Sequence, residues 1–333
     1  MDGAVKPLNE CHILVTPTSF ARYDKDLSLE LERTVKKVVY NTKGKPLSAE
    51  QLLPIIGDID GMIAGLDEIN REVIEKGKNL RVIARYGVGV DRVDLQAAKK
   101  AGIYVTNTPG ANSLSVAELT VGLAIALARS IPYANNETKL GRWPRLDGVA
   151  LCRKVFGLIG LGSIGCEVAF LLKPFNCQII AYKRHPDYDF AQKHGIQFVA
   201  LDELLAESDF VSLHLPVTPD TEKMVNKSFL SKMKKGSFLI NTSRGELIDE
   251  KALLDSLTSG HLRGAALDVF LKEPPDANDP LLALPQVVVT PHMGAGTDLA
   301  ANEMGRMSMS DCLAVLRGEK PIYIVVNPNI KSN

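Results

Sequence analysis

The stretch Val155–Arg184, VFGLIGLGSIGCEVAFLLKPFNCQIIAYKR, decides how the chain reads. Val155 to Ile159 is a short apolar run broken by Gly160, Gly162 and Gly165, after which Ile164, Val168, Leu171, Leu172 and Phe175 follow at helical spacing. A second apolar run, Gln178 to Tyr182, closes a unit of strand, turn, helix and strand. A GxGxxG motif alone arises by chance, but one that leaves a strand and opens a helix inside a βαβ unit of about 30 residues points to dinucleotide binding. The glycines permit the tight turn, let a pyrophosphate approach the backbone and let helix pack on strand. The helix N-terminus adds free N–H groups and the positive end of a dipole.

Working outward, 333 residues leave room for two domains, since single domains usually hold about 100 to 200. There are 39 basic and 39 acidic residues. A protein that neutralises nucleic-acid phosphates would be expected to carry a basic excess, so no nucleic-acid partner is expected. The longest strongly apolar segment, Leu119 to Ala128, is interrupted by Thr120 and Gly122. It falls short of the roughly 20 residues that cross a bilayer, and no membrane partner is expected. The opening MDGAVKPLNE lacks the apolar core of a signal peptide. Cys11, Cys152, Cys166, Cys177 and Cys312 are scattered and form no CxxC pair, which points to reduced thiols in a cytoplasmic protein. Cys166 follows the last fingerprint glycine, where a helix N-terminus can make a thiol more acidic. A small packing residue suits that position better.

From His12, apolar runs alternate with helical segments through YVTNTP, the pattern of a parallel sheet covered on both faces. Gly87-Val88-Gly89 lies just beyond the strand Leu80 to Ala84, where α/β ligand sites form; turn glycines are an equal explanation. The turn cluster Asn107 to Asn112 precedes a helical pattern from Ser113 to about Arg129. Its stripe of Leu114, Ala117, Val121, Ala124, Ile125 and Ala128 suits close packing and a link between domains. Trp143, the only tryptophan, is expected at a domain or subunit contact. Further βα units follow the fingerprint, and Arg244, Asp268 and His292 fall just after successive strands. That edge of an open α/β sheet faces the ligand crevice, and it also carries the glycine turn. A last helix, roughly Thr297 to Arg317, is expected to return to the first domain.

A nicotinamide coenzyme supplies the hydride itself, leaving the protein to orient substrate, provide a proton and stabilise charge. His292 suits the proton step because imidazole exchanges protons near neutrality. A carboxylate beside it would fix the tautomer and favour the imidazolium. Glu273, in the loop LKEPPDANDP leading to His292, is the chosen partner. Arg244 can grip a substrate carboxylate with two donors and polarise the adjacent carbonyl. Read singly, each residue also has a structural explanation. The six histidines form no HExxH pair and no Cys/His set has zinc spacing, so no metal is expected. There is no GxSxG elbow. His214, beside Pro216 and Thr221, is expected to border the adenine pocket.

With these residues in place, the chain resembles the D-isomer-specific 2-hydroxyacid dehydrogenases, which include phosphoglycerate, glyoxylate and hydroxypyruvate enzymes. The matching stretches are GVGVDRVDL from Gly87, NTPGANSLSVAEL from Asn107, GLGSIG from Gly160, HLPVTPDT from His214, NTSRGELIDE from Asn241, GAALDVFLKEPP from Gly264 and TPHMGAGT from Thr290. The resemblance implies two doubly wound parallel-sheet α/β domains. One is a flavodoxin-like substrate domain over 8–107, completed by 298–330, and the other a Rossmann NAD(P)-binding domain over 108–297. It implies Arg244, Glu273 and His292 as the catalytic set, and carboxylate contacts from the Val88 and Gly89 amides. Cofactor contacts are implied for Ser163, Ile164 and Thr242, and a nicotinamide contact for Asp268. Homodimers are usual in the family.

Two departures from the family pattern carry information. Lys183 and Arg184, followed by His185, stand where NAD-using members carry an acidic residue. A carboxylate there would bind the ribose 2′-hydroxyl and repel a 2′-phosphate, whereas Lys and Arg attract it. NADP(H) is therefore expected over NAD(H). The loop IAGLDE from Ile63 offers a phosphate no cation, although Arg85 beside the Gly87 turn is a candidate. A small 2-oxoacid such as glyoxylate or hydroxypyruvate is expected ahead of a phosphoglycerate. The rival readings are a non-catalytic nucleotide-sensing protein of the same fold, and an oxidoreductase acting on formate or phosphite.

Overall fold

Short apolar runs become strands and the segments between them become helices in the computed structural model, which describes residues 5–328. Asn329 and Ile330, the end of the expected C-terminal segment, lie outside the described residues, as do the first four residues of the opening stretch. The strands are β1 His12–Val15, β2 Lys37–Tyr40, β3 Gly61–Ala64, β4 Val82–Arg85, β5 Tyr104–Thr106, β6 Val155–Ile159, β7 Gln178–Tyr182, β8 Ile196–Phe198, β9 Phe210–Leu213, β10 Phe238–Asn241, β11 Gly264–Leu267, β12 Val287–Val289 and β13 Ile324–Val326. The helices are α1 Lys25–Thr34, α2 Ala49–Leu52, α3 Arg71–Lys76, α4 Leu95–Ala101, α5 Ser113–Ala128, α6 Ile131–Lys139, α7 Ser163–Leu172, α8 Tyr188–His194, α9 Leu201–Glu207, α10 Lys227–Lys232, α11 Glu250–Thr258 and α12 Asp298–Leu316. They group into two units: residues up to Asn112 with those from Ala295 onward, and Ser113–Gly294.

The first unit is built on one sheet of order β13-β5-β4-β3-β1-β2. Successive side chains of a strand point to opposite faces. Ile13 and Val15 accordingly pack with α1 and α12, while Leu14, with Met62 and Ile83, packs under α2, α3 and α4. The order reverses between β1 and β3, which places a crevice at the C-terminal ends of these strands. β1 to β5 are parallel, as their apolar runs predict, but β13 pairs with β5 in the antiparallel sense. It follows α12 after a short turn and is held at the edge by Asp311, whose carboxylate accepts the Ile322 and Tyr323 N–H groups at 2.8 and 3.0 Å.

The second unit carries a seven-stranded parallel sheet, β12-β11-β10-β9-β6-β7-β8. Its order reverses between β6 and β9, so the crevice of this sheet opens beside the turn that leaves β6. Phe156, Phe210 and Phe238 lie in register on β6, β9 and β10 and stack with ring centroids 4.8 Å apart at each step. Burial on α5 is wider than the expected stripe. Leu114 is exposed and Ile125 half-buried, while Ser113, Ser115, Val116, Thr120, Leu123 and Leu127 are buried with the small residues. The helix packs on α7 and on β10 to β12 at once, so more than one face is covered. α6 has no counterpart in the sequence reading, because it buries no residue and so shows no apolar period. Trp143, beyond it, is 75% exposed. Among the described residues, no single helix is long and apolar enough to cross a membrane.

Candidate active site

The turn after β6 is shaped by its glycines. Gly160 has φ +97°, and a Cβ there would overlap the His214 carbonyl; a Cβ at Gly165 would overlap the carbonyl of Gly160. Gly162, the N-cap of α7, is different, because a Cβ there would meet nothing within 4 Å. The space beside it adjoins the free N–H groups of the first turn, around Ser163 and Ile164, and that turn holds no acidic residue. An anionic pyrophosphate fits this cradle. Burial pushes the Cys166 thiol up, with Lys183 opposing in part, so the helix N-terminus does not make it acidic and the packing role fits.

Beyond β7, Lys183 is half-buried and Arg184 is exposed. The Arg184 guanidinium meets Asp220 at 2.7 Å, with both side chains largely in water. Exposed pairs of this kind are worth about 0–1 kcal/mol, so Asp220 gives way readily to a stronger anion. Thr221 closes the loop that carries Asp220 by donating to the Pro216 carbonyl at 2.8 Å. His214 Nε2 lies 3.0 Å from Ser212 Oγ, while Nδ1 is buried and meets no partner among the described residues. Part of His214 reaches solvent, but burial of the ring lowers its pKa to about 4. Thr242 is buried, with its hydroxyl 3.0 Å from that of Thr120. Thr120 donates to the Val116 carbonyl, so Thr242 supplies the proton between the two.

Arg244, Asp268 and His292 stand after the neighbouring strands β10, β11 and β12. Asn241 shapes the first loop, accepting from Ser243 N–H at 3.0 Å and donating to the Arg244 carbonyl at 2.8 Å. Gly245 then lies flush on the Phe270–Leu271 backbone, where any Cβ would overlap, and the Arg244 loop is pressed against the segment leading to Glu273. Glu273 Oε2 meets His292 Nδ1 at 2.8 Å, and its Oε1 accepts the Phe270 N–H at 3.2 Å. Both side chains keep about a quarter of their surface in solvent, 27% for His292 and 23% for Glu273. With Nδ1 engaged, Nε2 is the ring nitrogen left for chemistry.

Asp268 is 1% exposed and both its oxygens serve the His292 loop. They accept the Thr290 hydroxyl at 2.6 Å and the Met293 and Gly294 N–H groups at 2.9 Å each. Its carbonyl takes the His292 N–H at 2.8 Å. This loop-building role, like that of Gly245, escapes sequence reading; an acid directly ahead of a strand-end turn is its only signal. Among the described residues, no group of three His, Cys, Asp or Glu is placed to hold a metal ion.

In the first unit, Arg85 is 3% exposed. Its Nε donates to the Gly89 carbonyl at 2.9 Å and its Nη1 to the carbonyls of Ala64 and Gly65. The expectation that Arg85 offers a cation to substrate therefore meets a guanidinium already engaged with backbone. The same end of the sheet holds Asp67, buried, which accepts from the Thr16 hydroxyl and from the Leu47 and Gly65 N–H groups. Val88 is exposed and Gly89 half-buried.

Residues 121–294 match the D-isomer specific 2-hydroxyacid dehydrogenase, NAD binding domain. The chain is 44% identical to a D-3-phosphoglycerate dehydrogenase of Methanocaldococcus jannaschii over 85% of its own length, but spans only 55% of that protein. It is 41% identical to a glyoxylate reductase of Thermofilum pendens, covering 86% of this chain and 87% of the relative. The solved TT0316 protein of Thermus thermophilus superimposes with a TM-score of 0.85 at 37% identity, covering 95% of this chain and 100% of that one. Coenzyme cradle, strand order and sequence agree: the chain belongs to the D-isomer specific 2-hydroxyacid dehydrogenase family.

Proposed function

We propose that the protein reduces a small 2-oxoacid, such as glyoxylate or hydroxypyruvate, to the D-2-hydroxyacid, using NADPH in preference to NADH. The observation that carries this reading is the His292–Glu273 pair at 2.8 Å on the sheet edge that also bears the Gly160 turn. A nicotinamide coenzyme supplies the hydride. The pyrophosphate cradle is Gly160 to Gly165, with Thr242 and the loop from His214 to Thr221 bordering it. Glu273 holds His292 Nδ1, so that Nε2 presents a proton to the oxygen that gains charge as the carbonyl is reduced. Arg244 polarises that carbonyl and anchors the carboxylate group, a task suited to its planar fork. In the first unit, the Val88 and Gly89 N–H groups are the carboxylate contacts that the family resemblance implies.

Lys183 and Arg184 support NADPH, since together they offer two cations for a 2′-phosphate at the end of the second strand of the fingerprint. D-3-phosphoglycerate is a second reading, favoured by the 44% identical relative. The backbone bonds of Arg85 and the uncharged Gly65-Leu66 turn weigh against it. The exposed apolar side chains Ile131, Tyr133, Leu140, Trp143 and Leu146 support a homodimer formed through α6 and the segment after it. Five free thiols support a cytoplasmic setting.

The test is a matrix of initial rates for glyoxylate, hydroxypyruvate and phosphohydroxypyruvate against NADPH and NADH. The expected result is a higher kcat/KM with NADPH and with the unphosphorylated acids, and a coenzyme ratio that moves towards NADH in Lys183→Asp with Arg184→Ala. Absence of turnover with every 2-oxoacid removes the reductase reading. A wild-type preference for NADH removes the coenzyme assignment.

A further inference from the structure

Three successive carbonyls of the Gly87 loop are tied to donors within the first unit. Gly87 O accepts the Thr108 N–H at 3.0 Å, Val88 O accepts the Asn107 side-chain amide at 2.8 Å, and Gly89 O accepts Arg85 Nε at 2.9 Å. Among the described residues, the N–H groups of Val88 and Gly89 donate to no protein acceptor. A peptide is planar and trans, so its C=O and N–H point in opposite directions. Fixing the Gly87 and Val88 carbonyls on the adjoining residues Thr108 and Asn107 therefore turns the Val88 and Gly89 N–H groups together to the other side. Consecutive N–H groups with one outlook form an anion-binding concavity. The turn needs Gly87, whose φ of +145° L side chains rarely adopt.

Asn107 is itself seated firmly. Its N–H donates to the Tyr323 carbonyl at 3.2 Å, and Tyr323 is held in turn by the buried Asp311 carboxylate. We propose that Asn107 is a positioning residue: its side-chain amide holds the Val88 peptide so that the Gly89 N–H faces the carboxylate of the substrate. The proposal rests on the 2-oxoacid reading, in which this pair of amides takes a carboxylate. The partner is a carbonyl, so only the NH2 end of the Asn107 amide can serve. Asn107→Asp replaces that donor with a charged acceptor, and the Val88 carbonyl turns away.

The experiment titrates oxalate, which has two carboxylates and no reducible ketone, into the NADP-loaded wild type, Asn107→Ala and Asn107→Asp by calorimetry. KM and kcat for glyoxylate, coenzyme affinity and melting temperature are measured alongside. Oxalate binding is expected to weaken about tenfold in Asn107→Ala, the size of one loosened charge-assisted hydrogen bond, and further in Asn107→Asp. KM should rise with kcat changed less, and coenzyme affinity should hold. The proposal is overturned if both variants bind oxalate within about twofold of wild type, if coenzyme affinity falls in parallel with oxalate affinity, or if the wild type binds no oxalate. If the wild type binds oxalate in an Asn107-dependent way yet reduces no 2-oxoacid, the positioning role stands and the reductase reading falls.

Discussion

His292 sits at φ +49°, in the left-handed region, where a side chain other than glycine costs of order 1–3 kcal/mol. The neighbouring bonds to Asp268 explain how the loop sustains it: three reach the carboxylate and one the carbonyl, and all converge on residues 290 to 294. His214 shows the opposite strategy, an imidazole kept neutral by burial. Its pKa falls from 6.5 to about 4 on folding, so between those values the unfolded chain takes up a proton that the folded chain refuses. The contribution is whole above pH 6.5 and is lost as pH falls towards 4. Denaturant unfolding is expected to show wild type losing about 2–3 kcal/mol more than His214→Gln over that interval. Equal slopes for the two proteins would remove His214 from the acid sensitivity. At this scale the sequence exposes residues with distinctive chemistry, such as His292 and Arg244. It marks Asp268 by position but hides the bonds by which Asp268 builds the His292 loop, and it hides Asn107, because such hydrogen bonds to backbone exist only once the fold brings the groups near.

Strands β6, β9 and β10 are locked at their N-terminal ends by the stacked rings of Phe156, Phe210 and Phe238, far along each strand from the edge that carries Gly160 and Arg244. Phe210, the middle ring, is fully buried. Phe210→Ala is expected to lower stability by about 3–5 kcal/mol, from lost transfer energy and the cavity left behind. Chemical unfolding measures the loss, and a change under about 1 kcal/mol would show that neighbouring side chains close the gap. The alternation of strands and helices was legible because parallel strands are continuous apolar runs and most of the helices have one buried face. α6 was not legible, since nothing on it is buried. β13 was not legible either, since its pairing and direction depend on Asp311 and on where α12 ends, which local pattern does not encode. The breadth of burial on α5 likewise reflects contact with α7 and the sheet together, beyond what a single stripe predicts.

At the scale of the whole molecule, two sheets of different strand order each present backbone N–H groups that the proposed function assigns to an anion. The second unit offers the glycine cradle and the first offers the Val88 and Gly89 amides. Family membership makes the first of these a coenzyme site, and the proposed reaction gives the second its carboxylate. The proposed reaction then depends on one proton donor, His292, held by Glu273 at 2.8 Å. The most direct measurement is kcat for NADPH-dependent glyoxylate reduction by wild type, His292→Asn and Glu273→Gln, with NADPH binding measured on each. kcat is expected to fall by about 10²- to 10⁴-fold in His292→Asn, with a smaller loss in Glu273→Gln. NADPH affinity should hold in both variants. A His292→Asn enzyme that keeps kcat within about threefold of wild type would contradict the assignment of His292 as proton donor.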